Sequence, residues 1–223
     1  MKNTNNHIFN ILDNLLENAL PGLPSQLKMA PESRGYFEQL NKNKPRKKAG
    51  VLLLLFLKNN LLYITFIKRT EDGRAHSGQI AFPGGKFEDE DINMTATALR
   101  ETEEEIGVNR NDIIYLGSLT DIYVPVSNYQ VTPIVGYINF VPQFVANKTE
   151  VDDVITIPLY KFLFSNNIGT KTEQFDNLEF TIPYFQIDAY KIWGATAMIM
   201  HEFIDLIQPI SDLLNENVKT ESK

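Results

Sequence analysis

The sequence contains no cysteine, which excludes a disulfide framework, a thiolate nucleophile and a thiolate metal site. It also lacks a long apolar run, because the stretch 49–57 around VLLLLFL is far shorter than the ~20 residues of a membrane span. The N-terminus has neither the basic nor the apolar region of a secretory signal. Cations are outnumbered, with 21 Lys and Arg against 28 Asp and Glu, and the net charge of −7 argues against general nucleic-acid binding. We therefore predict a cytoplasmic protein that binds neither membranes nor nucleic acids. Its oligomeric state does not follow from the composition, and we expect a monomer or a homodimer.

What the sequence does contain is enough apolar material for one complete domain. Of its 223 residues, 43% are hydrophobic, which is typical of a globular domain with a full core. Apolar residues recur at helical spacing over 6–18 and predict an amphipathic helix, whereas the Pro-, Lys-, Asn- and Ser-rich stretch 20–48 predicts an irregular connector. We place an N-terminal helix and connector at 1–46, the main domain at 47–216 and a polar tail at 217–223.

Several runs of strand-forming residues follow the connector. AGVLLLLFL and LLYITFIKR are separated by KNN and predict a hairpin, and QIAF predicts a short strand that the Pro-Gly-Gly at 83–85 ends. Later runs predict an antiparallel pair, in which Pro133 indicates an edge position or a bulge. Two more strands are predicted at DVITIPL and LEFTIPYFQI, and a last helix over 195–215 with a kink near Pro209. Strands with helices before, among and after them predict a layered α/β or α+β domain.

A helix predicted over 91–106 ends in a dense acidic cluster. Four of the five residues 101–105 are glutamates, and Gly107 marks the end of the helix. Acidic groups at a helix C-terminus oppose the helix dipole and repel one another at i,i+3 and i,i+4 spacing, so a cation is expected there. We predict a core-facing stripe on one side of this helix, and an opposite side that carries the acids. The stripe consists of Ile92, Ala96, Leu99 and Ile106, and the opposite side of Met94, Ala98, Glu101 and Glu105.

Three of these glutamates have the spacing of a metal site. Glu101, Glu104 and Glu105 lie within about one helical turn and offer the carboxylate oxygens that Mg²⁺ prefers. The alternative is a solvated acidic face, which is the usual meaning of a charge run. The glycine pair at 84–85 favours the metal site, because glycine lets the backbone approach an ion or a phosphate closely.

Together, the glycine turn and the acidic helix resemble the signature of a known family. The pattern GG-x5-D-x8-RE-x2-EE-x-G over 84–107 resembles the Nudix box of hydrolases that act on a nucleoside diphosphate linked to another moiety. It departs from the usual box because Asp91 replaces a glutamate and Arg100 comes one residue late.

Residues outside the box resemble one branch of that family, the coenzyme A pyrophosphatases, whose box has the same two departures. The upstream stretch that carries this resemblance contains Arg69, Thr70, Arg74, His76, Gly78 and QIAFPGG. Downstream, the similar segments are QVTPIVG (130–136), EV-x6-PL (150–159) and WGATA (193–197). The N-terminal 45 residues lie outside the resemblance.

The resemblance implies a fold and a reaction. The fold would be α/β (α+β), the Nudix α/β/α sandwich with a mixed sheet, an N-terminal helical extension and a C-terminal helix. The reaction would be metal-dependent hydrolysis of the diphosphate of coenzyme A, or of a derivative, to 3′,5′-ADP and 4′-phosphopantetheine or its acyl form. The alternatives are another nucleoside diphosphate derivative as substrate, such as NADH or ADP-ribose, and a non-catalytic Nudix domain that senses a ligand.

The resemblance also implies metal-binding and catalytic residues. Mg²⁺ or Mn²⁺ would be bound by Glu101, Glu104, Glu105 and the carbonyl oxygen of Gly84. One of these carboxylates, Glu104 or Glu105, or the later acid Glu150, would orient or deprotonate the attacking water. For Glu150 the alternative is an ordinary surface acid.

Substrate-binding and supporting residues are implied in the same way. Arg100 would buttress the loop acid Asp91, with a direct phosphate contact as the alternative. Arg69, Arg74 and Gly85 would bind the substrate. Because arginine is suited to bidentate phosphate contacts, we expect Arg69 or Arg74 to pair with the 3′-phosphate of CoA.

Overall fold

The computed structural model describes residues 5–71, 78–163 and 167–214, which form two β-sheets and the helices around them. The helices are α1 (Asn5–Glu17), α2 (Gly22–Leu27), α3 (Arg34–Asn41), α4 (Met94–Ile106) and α5 (Gly194–Ile207). The strands are β1 (Lys47–Lys58), β2 (Leu61–Arg69), β3 (Ile80–Ala81), β4 (Gly84–Lys86), β5 (Ile114–Ser118), β6 (Ile122–Val124), β7 (Tyr129–Ile138), β8 (Val151–Pro158), β9 (Ile168–Phe175), β10 (Leu178–Ile187) and β11 (Tyr190–Trp193). Of the helices in these ranges, none is long and apolar enough to cross a membrane.

The main sheet contains strands β1 to β8 and is mixed. Its central order is β3–β2–β1–β7–β5, with β4 paired to β1, β6 to β7 and β8 to β2. β1 and β7 run parallel, and the other pairs of this sheet are antiparallel. Strands β9, β10 and β11 form a separate antiparallel sheet. The predicted α/β class with a mixed sheet is confirmed.

Strand β1 is buried on both faces, which explains its unbroken apolar run. Leu53 and Leu55 pack on one side in a cluster that includes residues of α1 and α5. Leu52 and Leu54 pack on the other side with Ala98 of α4. A strand covered on both faces reads as a continuous hydrophobic run, not as an alternation. The main sheet is therefore the middle layer of an α/β/α sandwich.

The hairpin of β1 and β2 closes at the predicted turn. Lys58 pairs with Leu61, so only Asn59 and Asn60 connect the two strands. Both asparagines have positive φ, 52° and 60°, which asparagine tolerates and which a tight hairpin turn requires.

The predicted irregular connector over 20–48 is wrong, because it contains the helices α2 and α3. Helix α2 docks against α5, where the buried Gln26 amide donates to Oε2 of Glu202 (2.7 Å) and to the backbone oxygen of Thr120 (2.8 Å). Pro24 lies in the first turn of α2, where its missing N–H breaks no helical hydrogen bond. Pro24 contributed to the prediction of an irregular connector, but at this position it is compatible with a helix.

The predicted N-terminal helix packs directly onto the main sheet. Its Phe9 is buried and stacks on Tyr137 of β7, with 3.8 Å between the ring centroids. Leu12 and Leu16 join the same hydrophobic cluster. The segment 1–46, as far as the structure describes it, therefore contributes to the core of the domain that follows.

Pro133 lies in a central strand, so the predicted edge position is wrong. It faces Val51 of β1 on one side of β7. On the other side the partner strand is interrupted between β5 and β6, and the Leu119 N–H donates to the Pro133 oxygen at 2.9 Å. Proline is tolerated because the neighbouring strand, not its own, carries the irregularity.

Helix α4 begins three residues later than predicted. Met94 is its first residue and Asn93 is its N-cap, whose side-chain oxygen accepts from the Ala96 N–H at 2.8 Å. The predicted end is correct, because Gly107 takes the left-handed conformation (φ 71°) that favours glycine after a helix.

The buried side of α4 differs from the predicted stripe. Ile92 lies before the helix and is 89% exposed, whereas Ala98 and Glu105, which were placed on the opposite side, are buried. Ile106 is buried as predicted. The reason is that α4 packs on Gly50 and Gly85 of the sheet. The helix lies so close to the sheet there that only small or polar side chains fit on its buried side.

Some strands were not predicted. The QIAF strand ends at Ala81, before the Pro-Gly-Gly as predicted, but Gly84–Lys86 then forms a strand of its own and pairs with β1 as β4. Of the three strands of the second sheet, only β10 was predicted; β9 and β11 were not. The last helix agrees better, because α5 ends at Ile207 and a short 3₁₀ turn (Gln208–Ile210) contains Pro209.

Candidate metal centre

Helix α4 lies close against strands β1 and β4, where glycines face it. Gly85 pairs with Gly50 of β1. A Cβ added at Gly85 would lie 2.3 Å from the carboxyl carbon of Glu101, and one added at Gly50 would lie 2.4 Å from the Met94 carbonyl oxygen. Both distances are far below van der Waals contact. Gly50 faces backbone, so that position requires glycine, whereas a side chain at Gly85 would displace the Glu101 carboxylate. The Glu101 carboxylate therefore rests directly on the turn before the helix.

Glu105 is the most deeply buried acid of the cluster, with 2% of its side chain exposed. Its Oε2 accepts from the Gly84 N–H at 2.9 Å, and its Oε1 lies 3.9 Å from Nη1 of Arg69. Burial raises the pKa of Glu105 to about 8, and the nearby charges of Glu101 and Glu150 act in the same direction. The Gly84 N–H and Arg69 oppose that rise only in part.

Glu101 and Glu104 share one guanidinium nitrogen. Nη1 of Arg100 lies 3.1 Å from Oε1 of Glu101 and 3.2 Å from Oε2 of Glu104. Burial raises the pKa of Glu101 against the opposing effect of Arg100. The side chain of Glu104 is half exposed. Three carboxylates thus sit at one end of α4 in three different environments.

Arg100 also ties the loop to the helix. Its Nε donates to Oδ1 of Asp91 (3.0 Å), and its Nη2 donates to Oδ2 (2.9 Å), which is the bidentate geometry of a strong pair. The Glu88 N–H and the Thr97 hydroxyl donate to the same Oδ2. The hydrogen bonds from Arg100 hold the pKa of Asp91 well below its usual range, although burial opposes them. The guanidinium also donates to the Lys86 backbone oxygen at 3.0 Å, so it joins helix, loop and strand.

The later acid and the upstream arginines can be placed only in part. Glu150 lies in the turn directly before β8. The backbone oxygen of Glu150 accepts from the Thr70 N–H at 3.0 Å. It is near enough to act on the pKa values of both Glu101 and Glu105. Arg69 reaches Glu105, whereas Arg74 lies outside the described residues.

Two residues that shape this site were not predicted from the sequence. The Thr97 hydroxyl donates to Asp91 at 2.9 Å and is itself fully buried. Gly50 has no side chain, which lets α4 approach the sheet closely. A glycine inside an apolar strand indicates close approach by another backbone, and Gly50 in AGVLLLLFL carries that signal.

The fit of a divalent cation can be tested on these side chains. Among residues 5–71, 78–163 and 167–214, no three acidic or imidazole groups are already gathered as metal ligands. Glu101 and Glu104 turn to Arg100, and Glu105 turns to the Gly84 N–H, which keeps like charges apart. The donor set nevertheless fits, because hard cations take oxygen ligands. Glu105 in particular is buried without a hydrogen-bonded cation, since 3.9 Å from Arg69 exceeds hydrogen-bond distance.

Replacing Glu105 by glutamine should stabilise the metal-free protein at alkaline pH. The pKa of Glu105 is about 8 in the folded state against an ordinary value of 4.5, so the folded protein keeps a proton that the unfolded chain has lost. Its stability therefore falls as the pH rises through that interval, and glutamine removes this loss. We expect Glu105→Gln to exceed wild type by a few kcal/mol at about pH 9 and to differ little at about pH 4.

Urea unfolding in EDTA at both pH values measures this difference. Glu103→Gln is the matched control, because Glu103 lies on the same helix turn but pairs with Arg110 at the surface. A gain for Glu105→Gln that is equal at both pH values would contradict the burial of a protonated acid.

The sequence matches known proteins over most of the described domain. Residues 45–156 match the sequence model of the NUDIX domain. A Caenorhabditis elegans protein described as Nudix hydrolase 3 is 32% identical over 164 residues, covering 66% of this chain and 67% of that protein. A protein of Yersinia pestis (strain Pestoides F), described as uncharacterized Nudix hydrolase NudL, is 32% identical over 165 residues, covering 74% of this chain and 79% of that protein.

The fold is also similar to solved structures. A Nudix hydrolase from M. Smegmatis, RenU, superposes with a TM-score of 0.53 at 12% identity, covering 74% of this chain and 88% of that one. At this identity the likeness concerns the fold alone.

Proposed function

The chain belongs to the Nudix hydrolase family, and from this premise we propose that it hydrolyses the diphosphate of coenzyme A or of an acyl-CoA. Nudix hydrolases act on nucleoside diphosphate derivatives and generally use divalent metal ions. The narrower substrate is supported by the stretch 69–85, which resembles the motif of the coenzyme A pyrophosphatase branch. The products from CoA would be 3′,5′-ADP and 4′-phosphopantetheine.

One observation carries the chemistry. Three carboxylates at the end of α4 adjoin the β4 turn, and the innermost of them, Glu105, is buried with a raised pKa. Perturbed acids in such a position are typical of catalytic sites. A surface charge run would instead be exposed and would have no reason to face the glycine turn.

The metal-binding residues we propose are Glu101, Glu104 and Glu105, together with the Gly84 carbonyl oxygen. A bound Mg²⁺ or Mn²⁺ would polarise the diphosphate and lower the pKa of a bound water. The Gly84 N–H already contacts Glu105, which puts this residue beside the acids.

The other proposed roles belong to the side chains of this chain. A carboxylate, Glu105 or alternatively Glu104 or Glu150, accepts the proton of the attacking water. The water oxygen forms a bond to one phosphorus, and the bond from that phosphorus to the bridging oxygen breaks. Arg69, whose guanidinium lies 3.9 Å from Glu105, would contact the diphosphate. The Asp91–Arg100 pair holds strand β4, which contains Gly84 and Gly85, in position through the Lys86 oxygen.

A substrate panel tests this proposal. We expect the purified protein with Mg²⁺ or Mn²⁺ to hydrolyse CoA with a kcat/KM at least about tenfold above that for NADH or ADP-ribose. Chromatographic detection of 3′,5′-ADP measures the reaction. A preference for NADH or ADP-ribose would overturn the CoA assignment and leave a hydrolase of another nucleotide. No hydrolysis of any of these compounds, combined with tight binding of one, would instead favour a ligand sensor.

A further inference from the structure

A basic groove of about 490 Å³ lies at the start of β1 and the end of β4. The residues that line it are Arg46, Lys47, Lys48, Lys86, Phe87 and Tyr129. None of these six is acidic, although the protein as a whole has a net charge of −7. The groove therefore concentrates positive charge on a chain that is otherwise anionic.

The four cations of the basic groove differ in their surroundings from those of a larger cavity. With the carboxylates of the described ranges none of them forms an ion pair; instead, Arg46 donates to the Gln130 amide oxygen (3.0 Å) and lies 4.1 Å over the Tyr123 ring. The Lys48 and Lys86 side chains are exposed. A larger cavity near β3, β8 and β11 contrasts with this, because its Lys68 pairs with Asp152 at 2.7 Å. That cavity is lined by two lysines and three acids, whereas the basic groove is lined by four cations and no acid.

The basic groove borders the candidate metal centre through the backbone. Lys86 follows Gly85, the residue whose missing Cβ makes room for the Glu101 carboxylate. The Lys86 oxygen accepts from Arg100, and the Phe87 N–H donates to the Lys48 oxygen at 3.0 Å, which joins the two basic segments. A ligand with one anionic group at the glutamates could therefore place a second in the groove.

We propose that the basic groove binds a phosphate that the substrate carries outside its scissile diphosphate, with Lys48 and Lys86 as its cations. This inference rests on the proposed function, because it takes the diphosphate of a nucleotide to lie at the carboxylates of α4. In CoA the second phosphate is the 3′-phosphate, which one ribose separates from the diphosphate. The rings of Phe87 and Tyr129 offer the adjoining nucleoside an aromatic contact.

The basic groove is a better candidate for the 3′-phosphate than Arg69, which we expected from the sequence. Arg69 lies 3.9 Å from Glu105 and is held at the acid cluster. Its charge is therefore directed at the diphosphate and the proposed metal ligands. Within the described residues, Lys48 and Lys86 form no ion pair with a carboxylate, which leaves their charges for a further anion.

Nucleotide binding tests the groove without any need for turnover. 3′,5′-ADP carries the additional phosphate, and 5′-AMP is the same nucleotide without it. By titration calorimetry we expect wild type to bind 3′,5′-ADP at least about tenfold more tightly than 5′-AMP. The double variant Lys48→Ala/Lys86→Ala should lose this preference with little change for 5′-AMP. Lys48→Arg/Lys86→Arg should retain it, since both charges remain.

Lys58→Ala is the matched control, because Lys58 is an exposed lysine at the far end of β1. It should behave as wild type. Equal binding of both nucleotides by wild type, or a preference that survives in the double alanine variant, would overturn the proposal. An equal loss for both nucleotides would also overturn it, because this would indicate a general field and not a phosphate site.

A kinetic comparison separates the groove from the proposed function. In the double alanine variant, kcat/KM for CoA should fall about tenfold or more, and that for dephospho-CoA should change little. If wild type hydrolyses neither compound but still prefers 3′,5′-ADP through Lys48 and Lys86, the CoA hydrolase proposal fails and the groove stands. If CoA is hydrolysed and the double variant treats both substrates alike, the groove proposal fails and the function stands.

Discussion

Hydrolysis of CoA should fall by about 10³-fold or more when EDTA removes divalent cations, and excess Mg²⁺ or Mn²⁺ should restore it. The reason is electrostatic. Without a cation, three carboxylates at the end of α4 face an anionic diphosphate, and Glu105 is buried with its pKa raised to about 8. A divalent cation offsets the negative charge of the carboxylates and that of the diphosphate at once. Initial rates of 3′,5′-ADP release measure the effect.

The control for this experiment is EDTA that has been saturated with Mg²⁺ beforehand, which should not inhibit. Thermal unfolding gives a second readout, because a cation bound only by the folded state raises the midpoint, and the rise grows with the logarithm of the cation concentration above its Kd. Two results together would refute a metal centre at these glutamates: full turnover in excess chelator, and an unfolding midpoint that does not change with the Mg²⁺ concentration.

Glu101→Gln and Glu105→Gln should each lower kcat by about 10³-fold or more, since metal placement and water activation would both suffer. Glutamine keeps the size of the side chain, so the packing against Gly85 and the hydrogen bond from the Gly84 N–H need not be lost. The measurement is kcat at saturating CoA and metal. Circular dichroism of each variant verifies the fold.

Glu103→Gln is the control for the charge change itself. Glu103 belongs to the same acidic run, but it pairs with Arg110 and lies away from the turn at Gly84 and Gly85. We expect it to keep kcat close to wild type. An equal loss in all three variants would show that the acidic run acts through its net charge, and that Glu101 and Glu105 have no individual roles.

The elements that could be predicted from the sequence are those whose signal is local. The hairpin of β1 and β2 follows from two apolar runs and an Asn-Asn turn, and the end of α4 follows from Gly107. Helix α2 could not be predicted, because short helices are marginal alone and this one depends on contacts such as that of Gln26 with Glu202. Those contacts join parts of the chain that are far apart in sequence.

The candidate site shows the same division. Helical spacing alone places Glu101, Glu104 and Glu105 together. It does not indicate that Glu105 is 2% exposed and its neighbour Glu104 50% exposed, because this depends on which side of α4 meets β4. The basic groove was missed for a related reason, since Lys48 and Lys86 become neighbours only through the register that pairs Ala49 with Lys86.

The direct contact of α4 with Gly50 and Gly85 has a consequence for how freely this protein can vary. In most helix–sheet contacts the spacing depends on the side chains between the layers, so a change of core residues shifts the helix. Here the Met94 carbonyl at the start of α4 lies directly against the backbone of Gly50, so the spacing at that point is fixed by peptide backbone against peptide backbone. Substitutions elsewhere in the two hydrophobic clusters can therefore accumulate with little effect on the distance between the carboxylates and the turn. Tolerance to mutation in the core is combined with intolerance of any side chain at Gly50, and a side chain at Gly85 would move the Glu101 carboxylate.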